Sequence, residues 1–313
     1  MKTFTELCRI TQPKLKTYMK EYLSSKGYAP ICEDGFLYAK GDTPVLLVAH
    51  LDTVHKEAPK EISHVGNRIS SPQGIGGDDR GGVFIIANIV QELKCSVLLC
   101  EDEEKGGIGA NKFVNTKYSK ELGVNYMVEF DRKGHSDAVF YNCASEDFQD
   151  FVLKHTGFEK KFGSFSDISV LMPNCKLCGV NLSSGYYNAH TQQEYVIYDE
   201  MMYTATKAKE LIKTECEKPF EYKKAAEFLR SFDYYEGYDW YTEYKSAKPK
   251  KAKSVVDMIK DDVTIELEAI AITSLGEEEI LLAQGMTKAE CWMNLFVDYP
   301  HVCMNDIIDY SFM

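Results

Sequence analysis

Val45-Leu46-Leu47-Val48-Ala49-His50-Leu51-Asp52 is the stretch from which the rest of this chain can be read. Five apolar residues follow one another without the polar alternation of a half-exposed strand. That pattern suits a short strand buried on both faces, as in a parallel sheet. His50 and Asp52 come directly after it. In extended backbone, residues i and i+2 point to the same side, so these two side chains are expected to face one place at the strand's end. A solvated strand end is the alternative for so short a motif.

The same grammar repeats on either side. Ser96-Val97-Leu98-Leu99-Cys100 is a second buried-strand run, and 124–130 a third. Between them lie segments of helical period: 80–93, with Val83, Ile86, Ile89, Val90 and Leu93 on one stripe, and 108–116. Residues 145–155 and 199–215 read as further helices. The chain opens on an amphipathic helix over 4–26, carrying Leu7, Ile10, Leu15, Tyr18, Met19 and Leu23, which Pro13 breaks or restarts and Gly27 closes. Alternating strands and helices predict an α/β fold: a central mixed, largely parallel sheet sandwiched by helices. In such sheets sites form beyond the strand ends.

Composition narrows the function classes. Of 313 residues, 44% are hydrophobic and 27% charged, enough for a sizeable core. No apolar run approaches the roughly 20 residues of a membrane span, and Met1 to Leu7 lacks the continuous apolar segment of a secretory signal. The net charge of −12 argues against a nucleic-acid surface. Ten cysteines without an export signal read as reduced thiols in the cytoplasm. Cys175-Lys176-Leu177-Cys178 has CxxC spacing but no second pair at matching distance, so it reads as two small residues flanking a strand start.

Four further segments carry chemistry. Gly74-Ile75-Gly76-Gly77-Asp78-Asp79-Arg80-Gly81-Gly82 is a glycine-rich entry to a helix. Such loops can cradle phosphate. This one presents carboxylates and lacks the lysine of a P-loop, and carboxylates repel phosphate and attract metal. A turn with an N-capping aspartate is the simpler alternative. Glu101-Asp102-Glu103-Glu104 stands at the end of a buried strand, where four acids repel one another unless solvated or offset by cations. Glu129-Phe130-Asp131 ends the third strand. His190-Thr191-Gln192-Gln193-Glu194 follows the glycine turn at Gly185.

In this order the five segments resemble the co-catalytic zinc exopeptidases, a superfamily of aminopeptidases, tripeptidases, carboxypeptidases and acyl-amino-acid deacylases. The resemblance spans roughly residues 4–215. Ser164-Phe165-Ser166-Asp167 is similar to the family's small-residue and aspartate segment before its last strand. The resemblance implies that His50 and Asp131 hold one divalent metal ion, that Glu104 and His190 hold another, and that Asp78 bridges both. Asp79 is the alternative bridge if the register slips by one. It further implies Glu103 as general base, with Asp52 steadying His50. The implied cofactor is a pair of zinc ions, although carboxylate-rich sites also accept cobalt, manganese or iron.

Many family members insert a second domain near these motifs. Here 25 residues separate Asp52 from Asp78, and 58 separate Asp131 from His190. Neither gap holds such an insert, which favours a compact, aminopeptidase-like branch acting on short peptides and leaves a homo-oligomer interface unassigned. Competing expectations are a dipeptidase or a deacylase of N-acyl amino acids, and a non-catalytic module that kept the fold. Residues 1–215 are expected to form the catalytic domain, and 216–313 a mainly helical extension. Within the extension, the aromatic and acidic stretch 232–241 reads as part of an added packing layer, or else as a cover over the site that selects substrates. A basic stretch follows at 248–253.

Overall fold

The computed structural model describes residues 1–223 except 142, 144 and 164, together with 265–272, 278–285 and 307–312. The chain divides into two units, Met1–Lys224 and Ala225–Met313.

The opening segment forms two helices, α1 (Phe4–Cys8) and α2 (Gln12–Ser25). Thr3 and Glu6 close a reciprocal capping box on the first, and Pro13 sits in the first turn of the second, where its missing N–H costs nothing. Next come the strands β1 (Ile31–Glu33), β2 (Phe36–Ala39) and β3 (Thr43–His50), then the short hairpin β4 (Ser63–Val65) and β5 (Arg68–Ser70). Helix α3 (Gly77–Ile89) leads to β6 (Cys95–Cys100), a single 3-10 turn at Glu103–Lys105, and helices α4 (Ile108–Val114) and α5 (Lys117–Lys120). Then follow β7 (Tyr126–Arg132), β8 (Asp137–Val139), α6 (Glu146–Thr156), β9 (Glu159–Lys161), α7 (Asp167–Cys175) and β10 (Gly179–Ser183). The unit closes with β11 (Tyr186–Tyr187), β12 (Tyr195–Ile197) and α8 (Tyr198–Lys213).

Eight strands make the central sheet, in the order β1-β2-β6-β3-β7-β10-β8-β9. Its middle, β6-β3-β7-β10, is parallel throughout, while β1 on β2, β2 on β6 and β8 on β10 pair antiparallel and β9 lies parallel to β8. Val45 to His50 are all buried, as the unbroken apolar run requires. Helices flank the sheet: α3 packs on β3, β7 and α8, whereas α7 packs on β3, β7 and α4. Helix α3 is apolar nearly all round, from Val83 to Ile89, because it lies between the sheet and other helices. Phe220 packs among Tyr126, Phe148 and Phe151, so the chain beyond residue 215 still contributes to this core.

The parallel arrangement decides where chemistry collects. Because β6, β3 and β7 are neighbours running the same way, their C-terminal ends share one edge of the sheet. That edge receives Cys100 and the acids after it, His50, and Asp131.

The expectation of a mainly helical extension needs correction. The described residues beyond 224 are strands: β13 (Ile265–Ile272), β14 (Glu278–Gly285) and β15 (Ile307–Phe312), in an antiparallel sheet with β13 central. Glu, Leu and Ala are strong helix formers and suggest a helix. The alternation Ile265-Glu266-Leu267-Glu268 carries the period-2 signal of a strand instead. In β14, Ile280 and Leu282 are exposed while Leu281 between them is buried, the same period in side-chain terms. The stretches 232–241 and 248–253 lie outside the described residues.

Leu47 pairs with Val97 on one side and Val128 on the other, and is fully buried. Leu47→Ala is expected to cost about 2–5 kcal/mol of stability, read as a lower urea midpoint at unchanged slope. A loss below about 1 kcal/mol would contradict a tightly packed sheet centre.

Candidate metal centre

His50 is the last residue of β3 and only 1% exposed. Its Nδ1 lies 3.2 Å from Asp52 Oδ1, and its Nε2 lies 2.9 Å from Asp78 Oδ1 and 3.6 Å from Asp131 Oδ1. A carboxylate on Nδ1 leaves Nε2 as the nitrogen that faces the site. Asp52 also accepts the backbone N–H of Glu103 at 3.0 Å and of Glu104 at 3.1 Å. One carboxylate therefore sets both the ring of His50 and the turn that carries the glutamate pair.

Asp78 is the meeting point. Its Oδ1 faces His50, and its Oδ2 lies 3.3 Å from His190 Nε2. His190 Nε2 is also 3.1 Å from Glu104 Oε1. Among the described residues, three groups of side chains stand close enough to share a cation: His50 with Asp79 and Asp131, His50 with Glu103 and Glu104, and Asp78 with Glu104 and His190. The structure thus places His50, Asp52, Asp78, Asp79, Glu103, Glu104, Asp131 and His190 around one spot. His50, Asp52 and Asp78 are buried, while His190 is 56% exposed on its side chain and forms the outer rim.

Asp78 and Asp79, adjacent in sequence, touch different partners. Asp79 is fully buried and turned toward backbone: Oδ1 accepts the N–H of Gly82 at 2.7 Å, and Oδ2 that of His50 at 3.2 Å. It anchors the regular part of α3 to the end of β3. Asp78 faces two imidazoles instead.

Several groups support these side chains from behind; Ser166, Glu129 and Arg80 lie in segments quoted above, whereas Asn181 and Tyr186 carried no sequence signal. Asp131 receives the Ser166 hydroxyl at 2.8 Å and the Tyr186 hydroxyl at 3.3 Å on its carboxylate, and its backbone N–H donates to Asn181 Oδ1 at 2.8 Å. Ser166 Oγ is also 2.6 Å from Glu129 Oε2. A hydroxyl has one proton to give. Burial, then the charges of Asp131 and Asp167, hold Glu129 well above the usual carboxylate range, and Ser166 stands between the two carboxyl groups. Arg80, buried, binds the carbonyls of Leu51 at 2.6 Å and Asp52 at 3.1 Å and fixes the turn after His50. These contacts join residues 28 to 55 positions apart, and only the fold reveals them.

The electrostatics are those of crowded carboxylates. Burial opposes a charge on His50, but its bonds to Asp131, Asp52 and Asp78 outweigh it and hold the imidazole well above its usual pKa. His190 is pushed up to about 11 by Asp78 and Glu104. Burial raises Asp78 in principle, yet His190 and His50 hold it well below the carboxylate range. Burial raises Glu103 to about 10; His50 opposes this, while Asp131, Asp167 and Asp78 add to it. Burial and the charge of Asp78 raise Asp131 to about 6. Burial likewise raises Asp167 to about 7, again against His50 and with Asp131.

Imidazole nitrogens and carboxylate oxygens are the donor set of zinc and its neighbours. Glu104 Oε1 is buried near His190 without hydrogen-bond geometry, an oxygen still short of a partner. So many carboxylates in one place ionise together only beside cations. The residues present therefore fit divalent metal ions.

No family model matches the sequence, and no curated protein matches it either. Solved structures do. Aminopeptidase PepT from Bacillus cereus superposes with a TM-score of 0.55 at 13% identity, covering 67% of this chain and 96% of its own. A tripeptidase from Staphylococcus aureus gives 0.55 at 15% identity, with 67% and 96% covered. An aminopeptidase from the archaeon Desulfurococcus kamchatkensis gives 0.51 at 14%, with 68% and 95% covered. The unit Met1–Lys224 thus shares its fold with these three proteins.

Both imidazoles are held protonated by their carboxylate neighbours and must shed that proton to bind metal. Zinc uptake at pH 7 is expected to release at least two protons per chain, from the imidazoles and from any carboxyl such as Glu103 that the ions draw down, and affinity to fall as the pH is lowered. Calorimetry in buffers of different ionisation enthalpy reads the release; a binding heat independent of buffer would contradict it.

Proposed function

We propose that the unit Met1–Lys224 is a metal-dependent exopeptidase that cleaves short peptides at the amino end. The observation that carries this reading is the placement of Asp78 between His50 and His190, each imidazole having a second carboxylate of its own. That is a two-ion arrangement with one shared ligand. The likeness in fold to two aminopeptidases and a tripeptidase supports the substrate class.

In this reading His50 and Asp131 hold one ion, Glu104 and His190 the other, and Asp78 both. The ions are zinc, with cobalt or manganese as substitutes. When bound, they supply Lewis acidity toward a peptide carbonyl and toward water. Glu103 remains outside the ligand set. It takes a proton from the attacking water and returns it to the departing amine, first base and then acid. A carboxylate serves both steps when its pKa lies near the working pH. Burial and crowding raise that of Glu103, and nearby cations would draw it back down. Asp52 keeps Glu103 in place through its backbone N–H, while also orienting His50.

A panel of tripeptides, free at both ends, N-acetylated or C-amidated, tests the reading with the zinc-loaded protein. The free and C-amidated peptides should lose their first residue, and the acetylated one should resist. Glu103→Gln should lower turnover by about 10²–10⁴-fold at unchanged metal content. Cleavage confined to the N-acylated compound would make the protein a deacylase. No cleavage of any peptide would contradict the proposal.

A further inference from the structure

Glu194 is 1% exposed, and its charge is taken up by three donors. Oε2 accepts the N–H of Gly76 at 2.8 Å, Oε1 accepts that of Asp78 at 2.9 Å, and His55 Nε2 donates to Oε2 at 2.7 Å. Among the described residues Glu194 belongs to none of the groups able to hold a cation. Both its oxygens are spent on the backbone that carries Asp78.

The loop it grips has little freedom otherwise. Gly74 has φ +83°, and a Cβ there would fall 2.0 Å from the His55 ring, which fills that space. A Cβ on Gly77 would meet Val196 at 2.5 Å. His55 stands five residues beyond His50, and Glu194 four beyond His190. Parts of two other motifs thus close on the third. Glu194 also ends the turn that bears His190, its N–H donating to Thr191 O at 3.3 Å, so it ties the two partners Asp78 and His190 to each other. His190 is itself at φ +64° and half exposed, and needs such an anchor.

We propose that Glu194 is the positioning residue of the metal centre, clamping the Gly76–Asp78 backbone so that both oxygens of Asp78 face the two imidazoles, with His55 fixing the clamp. This rests on the metal-centre reading above. Because Asp78 is shared, loosening it weakens both ions and not one. A hydrogen-bonding group behind a ligand typically contributes 10–100-fold in metal affinity.

The test is zinc affinity, measured by competition with a chromophoric chelator, alongside thermal melting of the zinc-free protein. Glu194→Gln has only one oxygen for two backbone donors and turns an amide N–H toward one of them. It is expected to bind both ions at least about tenfold more weakly. Glu194→Asp keeps the charge but is too short to reach both amides, and should weaken binding as well. His55→Gln should shift affinity in the same direction by less, and it decides alone should the Glu194 variants fail to fold. A role in stability only would lower melting while leaving the affinity of the folded variants unchanged; that result overturns the proposal. If the wild-type chain takes up neither zinc, cobalt nor manganese, the metal-centre reading itself fails, a distinguishable outcome.

Discussion

The organising constraint in this protein is the crowding of carboxylates around two imidazoles. Asp78 presents one oxygen to His50 and the other to His190, and Asp131, Glu104, Glu103 and Asp79 stand close behind. In a buried setting such a cluster is costly unless positive charge accompanies it. Protonation supplies that charge in one form of the protein. On the proposed reading a pair of divalent ions would supply it more completely, and with a chemical use. Much else in the first unit can be read as a consequence: which groups donate to these carboxylates, which are kept neutral, and which backbone is pinned.

The sheet provides the geometry. Three parallel neighbours, β6, β3 and β7, deliver an acidic turn, a histidine and an aspartate to one edge. The glycine-rich entry to α3 brings Asp78 and Asp79 in from the side, with different duties: one faces the imidazoles, the other fastens α3 to β3. Asp52 links the histidine to the glutamate pair, and Glu194 links the outer histidine's turn to the Asp78 backbone. Each motif is therefore held by a residue belonging to another. A half-built version of this site would leave buried charges unpartnered.

Much of this was legible in the sequence, for physical reasons. A strand buried on both faces must be an apolar run, so β3, β6 and β7 announce themselves, and acids or histidines directly after such runs are conspicuous. Asp78 and Asp79 could not be separated by sequence, because neighbours in a bent, non-helical segment point by backbone detail alone. The hairpins at 31–39 and 63–70 passed unread, since three- and four-residue strands carry too little period. Helix α7 did too, with Pro173 inside it. Glu129, Ser166, Asn181 and Arg80 act through partners far along the chain. The strands beyond residue 264 were mistaken for helix because Glu, Leu and Ala favour helices locally, whereas pairing between strands decided the outcome.

The most direct test is the metal content per chain, by elemental analysis of protein purified without chelator, with His190→Ala alongside. The account predicts about two transition-metal ions per chain, falling in the variant. No bound metal, even after dialysis against zinc, cobalt and manganese, would contradict it.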